Sequence, residues 1–185
     1  MASRVMSTLD YPDTLLRKVL GSTKSIAIVG ASANRARPVF IVTKYLISKG
    51  FRVFPVNPGH AGGEILGQPA YARLADIPEP IDMVDIFRRP DAVPGIVDEA
   101  LSLDPRPKVI WMQLTIRNDE AAAKAEAAGL TVIMDRCTKI EYGRLVGENS
   151  WAGINSGVID SRRPVQTVEY QRFRLPGVVG GGERK

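Results

Sequence analysis

Short apolar runs and amphipathic stretches alternate along most of this chain. SIAIVG (25–30), FRVFPV (51–56), IDMVDIF (81–87), KVIWMQL (108–114) and LTVIMD (130–135) are the apolar runs. Each is too short for a buried helix and is rich in branched or aromatic residues, which predicts buried strands. Between them, apolar residues recur at helical spacing. PVFIVTKYLISKG (38–50) predicts a helix with Pro38 at its first position and Gly50 at its C-cap. AVPGIVDEALSL (92–103) predicts another, with Pro94 in the first turn and Gly95 weakening it. NDEAAAKAEAAG (118–129) is the clearest helix: Asn118 caps it, acids occupy its first turn, alanines fill it and Gly129 stops it. CTKIEYGRL (137–145) starts a final helix. Within residues 1–24, Leu15, Leu16, Val19 and Leu20 share one stripe, which predicts a lead-in helix ending near Gly21.

The segments that break this rhythm are also informative. NPGHAGGE (57–64) is dense in Gly and Pro and predicts a loop. ILGQPAY (65–71) holds room for a short edge strand, and IPEP (77–80) interrupts the chain again. Strand–helix alternation of this kind predicts an α/β fold: a doubly wound parallel sheet in a Rossmann-like three-layer sandwich. The expected boundaries are an N-terminal helix at 1–21, the Rossmann-like domain at 22–145 and a C-terminal extension at 146–185. That extension is expected to be basic and partly disordered, with a short strand at 165–173.

Composition narrows the class. The chain has 185 residues, 44% hydrophobic and 24% charged, as expected of an ordinary globular domain. No apolar run approaches the ~20 residues that span a bilayer. The N-terminal MASRVMSTLDYPD has no apolar core of a secretory signal. One cysteine, Cys137, fits a reducing compartment. A cytoplasmic protein without a membrane partner is therefore expected. The net charge of +5 hints at nucleic acid, but residues 161–185 carry four of those five charges. The body is nearly neutral, and no nucleic-acid partner is expected.

The candidate site is the first strand-to-helix turn, IVGASANRARPV. In an open parallel sheet, ligands bind beyond the carboxyl ends of the strands, where the strand order reverses. A helix N-terminus there offers unpaired N–H groups and the positive end of a dipole. Gly30 permits a tight turn, Ala31 and Ser32 are small, and the Ser32 hydroxyl can donate to an anion. Arg35 and Arg37 supply charge for phosphate oxygens. The dinucleotide fingerprint G-x-G-x-x-G is absent, since Ser32 and Arg35 stand where its later glycines would. The second strand ends in Asn57 rather than an acid, which argues against NAD.

IVGASANRARPV, FRVFPVNP, ILGQPAYARLADIP, IDMVDIFRRP, VIWMQL and MDRCTKIEYGRL follow one another in register. In this order they resemble the CoA-binding domain proteins of the YccU type, small stand-alone relatives of the CoA-binding domain in the alpha subunit of succinyl-CoA synthetase. The resemblance covers about residues 22–158. It implies a Rossmann-like fold that binds coenzyme A or an acyl-CoA. By that analogy, Gly30, Ala31, Ser32, Arg35, Arg37 and Pro38 lie around the pyrophosphate, and Val56, Asn57 and Pro58 near the adenosine. Phe87 and Arg88 follow the third strand, and Met112 and Gln113 end the fourth.

Catalytic sets are scarce. His60, the only histidine, falls in the Gly-rich loop without a readable carboxylate partner. One Cys and one His far apart offer no metal spacing. No catalytic or metal-ligating residue is assigned. Asp85 interrupts an apolar strand and is expected to be buried with a partner, in a structural role. Cys137 follows the fifth strand at a helix start, a position that can lower a thiol pKa, and Arg136 adjoins it. It is a candidate for the CoA thiol. The first expectation is a CoA-binding protein without catalysis of its own. The alternatives are an NADP-dependent or acyl-CoA enzyme using Cys137, and a CoA-sensing regulatory module signalling through the tail. A homodimer is a further expectation, since domains of this kind often pair.

Overall fold

The computed structural model of the chain describes residues 10–146. The basic extension, the strand expected at 165–173 and the start of the lead-in segment lie outside the described residues.

All five apolar runs become strands, and one side of each amphipathic segment explains its helix. The elements in chain order are α1 (Asp13–Ser22), β1 (Ser25–Val29), α2 (Pro38–Ser48) and β2 (Arg52–Val56). Next come the two-residue strands β3 (Glu64–Ile65) and β4 (Gln68–Pro69), then β5 (Met83–Ile86), α3 (Val93–Ser102) and β6 (Val109–Met112). α4 (Asp119–Ala127), β7 (Thr131–Ile133) and α5 (Thr138–Leu145) complete the described residues. The stretch 65–71 forms no edge strand of the main sheet. β3 and β4 pair with each other as an antiparallel hairpin, and a single bridge from Tyr71, two residues beyond β4, reaches Val56 of β2. Pro69 and the Gly67 turn keep this segment too short to extend a ladder.

The main sheet is parallel throughout, in the order β2-β1-β5-β6-β7. Chain direction across it therefore reverses at β1: the next strand lies on one side and the rest on the other. Both faces are covered, which is why β1, β5 and β6 are buried along their whole length instead of alternating. One face packs α3 and α4 through Val93, Val97, Ala100, Ala121 and Ala125. The other packs α1, α2 and α5 through Leu16, Leu20, Val42, Leu46 and Leu145. The result is a Rossmann-like three-layer α/β/α sandwich. Among the described residues, Trp111 is the largest fully buried side chain, and its Nε1–H donates to the Arg136 carbonyl at 2.7 Å.

The stripe read from Leu15 to Leu20 has a tertiary destination. α1 lies against α5, with the Arg17 guanidinium donating to the Leu145 carbonyl at 2.8 Å and Arg144 pairing with Asp13 at 2.7 Å. The Tyr11 hydroxyl accepts from the Met134 N–H at 2.8 Å. This helix thus closes the same core as the strands that follow it.

Candidate functional site

β1 and β5 are the neighbours between which the strand order reverses, so the crevice at their carboxyl ends is where such a sheet receives a ligand. The loop leaving β1 is held down by β2: the N–H groups of Gly30 and Ala31 both donate to the Val56 carbonyl, at 2.9 and 3.3 Å. Gly30 has φ +92°, a conformation that side chains resist. A Cβ there would also meet Arg88 Cδ and the Phe87 carbonyl oxygen at 3.0 Å. Two independent constraints, local conformation and close approach of the β5 loop, therefore demand glycine at this turn.

Ser32 is buried, and its hydroxyl oxygen accepts from the Asn34 N–H at 3.2 Å, which leaves the hydroxyl proton for another acceptor. The Asn34 side chain in turn accepts from the Ala36 N–H at 2.9 Å. This winding loop delivers Arg35, Arg37 and Pro38 to solvent at the start of α2. Arg37 is the N-cap, its side chain makes no cap hydrogen bond, and the first turn of α2 holds no acid. α4 differs: Asn118 accepts from the Ala121 N–H at 2.9 Å, and Asp119 and Glu120 occupy its first turn. One helix start is closed by its own side chains and is acidic; the other is uncapped and flanked by arginines.

The remaining positions read from the sequence divide into edge and core. Arg88 and Pro58 are exposed and Phe87 is partly exposed at the same end of the sheet. Val56, Ala31 and Met112 are core side chains, and Val56 and Met112 meet the edge through carbonyls; the Met112 carbonyl accepts from Arg136 N–H at 3.3 Å. The Asn57 side chain is committed inside the protein, donating to the Ala31 carbonyl at 2.7 Å and accepting from the Gly59 N–H at 2.9 Å. It thereby ties the first two strand-exit loops together. A cleft of about 470 Å³ borders the end of β2, lined by Gly62, Gly63, Glu64, Pro69, Tyr71 and Asp76 among others.

Gln113 is buried and belongs to a cluster that the sequence did not reveal. Its Nε2 group lies 2.9 and 3.1 Å from the two Asp85 carboxyl oxygens and 2.9 Å from Thr138 Oγ1. The Thr138 hydroxyl donates to Asp85 Oδ2 at 3.0 Å. Burial pushes Asp85 up from 3.8 to about 7, against the pull of the Gln113 and Thr138 hydrogen bonds. The interrupted strand had marked Asp85, but nothing in the spacing marked Thr138 as its partner. Leu114 was also missed; it is a large apolar side chain exposed right after Gln113.

Cys137 requires a correction. It does stand at the start of α5, but it is buried, and burial pushes its thiol above the ordinary value. The N–H groups of Ile140 and Lys139 pull the other way, as a helix start should, and are outweighed.

The reversal point of this Rossmann-like α/β domain thus carries a glycine turn, a helix start without a side-chain cap and exposed arginines. The family model described as CoA binding domain matches residues 24–143, and the chain belongs to that family. It is 37% identical over 127 residues to the uncharacterized protein YneT of Bacillus subtilis, a match covering 69% of this chain and 91% of YneT. The solved structure of cell-free ID.343 from Thermus thermophilus matches with a TM-score of 0.69 and 40% identity, covering 73% of this chain and 99% of that one. A more distant likeness is to the ADP-forming acetate–CoA ligase II of Archaeoglobus fulgidus, 28% identical over 135 residues, which are 72% of this chain but only 19% of the ligase. Among the described residues, no helix is long and apolar enough to cross a membrane.

Proposed function

We propose that this protein binds coenzyme A or an acyl-CoA at the carboxyl edge of its sheet, without catalysis of its own. The observation that carries this is the turn at Gly30. Packed tightly against the Phe87 backbone and Arg88, it turns the chain into a helix start with no side-chain cap and with Arg35 and Arg37 exposed beside it. Such a start favours phosphate. Arg88 reaches the same turn from β5. These residues fit the pyrophosphate of coenzyme A. The cleft beside β2 has small residues and Tyr71 for a base, while Glu64 and Asp76 in its lining direct phosphates away, toward the arginines.

The raised pKa of Cys137 supports binding over thiolate chemistry, because a buried thiol held in its protonated form is a poor nucleophile. The family membership supports coenzyme A over NADP. Calorimetric titration of the full chain with coenzyme A and with NADP tests the proposal. Coenzyme A should bind and NADP should not. Arg35→Ala should weaken coenzyme A roughly tenfold, or about 1.4 kcal/mol, with an unchanged melting temperature. NADP binding in place of coenzyme A would overturn the proposal, and an unaltered affinity would remove Arg35 from the site.

A further inference from the structure

The Asp85 cluster joins the side chains of three strand-exit elements, beside the backbone bonds from Gln113 N–H to the Ile86 carbonyl and from Arg136 N–H to the Met112 carbonyl. Asp85 is the penultimate residue of β5, Gln113 is the first residue after β6, and Thr138 is the first residue of α5. Asp85 and Thr138 are completely buried and Gln113 nearly so. The donor count is exact for an ionised carboxyl. One Gln113 N–H serves Asp85 and the other serves Thr138 Oγ1, and the Thr138 hydroxyl proton serves the second carboxyl oxygen. A protonated Asp85 changes this count, because its own O–H then needs an acceptor. Thr138 must redirect its proton, or the Gln113 amide must turn its oxygen inward.

We propose that Asp85 is a positioning residue for the ligand edge, which locks Gln113 and the start of α5 together when ionised and releases them when it takes up a proton. This rests on the coenzyme A site proposed above, because Gln113 and the segment 136–138 belong to that edge. The surroundings make Asp85 a responsive group. Ile28 of β1 and Trp111 of β6 flank it in register, and neither titrates. From α5 it meets Thr138, and its N-cap Cys137 is the titratable side chain that feels the Asp85 charge. With its pKa pushed to about 7 by burial, Asp85 changes state near neutral pH.

The direct test is NMR of the full chain from pH 5 to 9, following the Gln113 side-chain amide and the backbone amides of Thr138 and Lys139. In the native protein they should share one inflection near pH 7. It should vanish in Asp85→Asn, persist in Cys137→Ser and Thr138→Ser, and be displaced in Thr138→Val. Absence of the inflection in the native protein, or its survival in Asp85→Asn, would overturn the proposal without relying on any variant's affinity. The second readout is coenzyme A affinity at pH 6 and 8. The phosphates of the ligand titrate identically against both proteins, so the difference between native protein and Asp85→Asn isolates Asp85. The native protein should lose about tenfold more affinity than the variant on going to pH 6, the weight of one proton over the unit below its midpoint. Equal losses would sink the coupling. A native protein that binds no coenzyme A at either pH refutes the site instead, while the NMR inflection still decides the lock.

Discussion

Asp82 and Asp85 lie three residues apart at opposite ends of the same strand, and the protein treats them in opposite ways. Asp82 precedes β5 at the amino edge. It accepts the N–H groups of Lys24 and Ser25 at 3.0 and 3.2 Å and pairs with the exposed Lys108 at 3.0 Å. Partial burial raises its pKa, but the bonds from Lys24, Lys108 and Ser25 together outweigh this and hold it below its ordinary value. Asp85 faces neutral partners in the core, and burial wins. The same side chain is therefore held as an anion where it ties β1 to β5, and is pushed toward its protonated form at the carboxyl edge of the sheet. Charge-bearing donors and access to water decide which.

The largest expected effect tests this contrast through stability. The folded pKa of Asp85 lies above its unfolded value, so the native state holds the extra proton between them. Stability from this group falls as pH rises from about 4 to about 7 and is level beyond, by at most roughly 4 kcal/mol. Denaturant midpoints at pH 4.5, 6 and 8 should show this slope in the native protein and lose it in Asp85→Asn. A variant with the same slope would break the comparison. Next in size is Gly30→Val. A β-branched residue at φ +92°, against atoms 3.0 Å away, should cost about 3 kcal/mol and abolish coenzyme A binding. Urea unfolding and calorimetry measure both.

Asp82→Asn should cost about 1–2 kcal/mol at pH 7, because hydrogen bonds to a charged acceptor are weakened but not all lost. Its sign is opposite to that of Asp85. The lowered folded pKa gives stability that is present above the ordinary 3.8 and is lost as pH falls through the folded value. The deficit of the variant should therefore persist at pH 3.8 and shrink only at more acid pH, as thermal melts would show. The smallest effect contrasts the two helix starts. Asn118→Ala removes the cap of α4 and should cost about 1 kcal/mol, with no change in coenzyme A affinity, since that start is closed by its own residues. A loss of affinity would mean that the ligand reaches α4 as well as α2.

Much of this architecture was legible along the chain. The apolar runs are strands and the periodic segments are helices because burial on both faces imposes a continuous apolar code on one and a stripe on the other. Gly30, Pro38 and Asn118 declared their local jobs, since left-handed turns, first helical turns and caps depend on few neighbours. What the sequence by itself determined was thus the set of elements, their alternation and the glycine turn that leaves β1. Tertiary structure decided the rest. It set the order β2-β1-β5-β6-β7, made residues 64–69 a separate hairpin, and turned Asn57 inward to bind two loops. It also chose Gln113 and Thr138 as the partners of Asp85 and raised the Cys137 thiol that its helix position alone would lower. Ionisation and partnership depend on how much water and which donors surround a group, and those arrive from residues 25 to 53 positions away, only when the sheet has assembled.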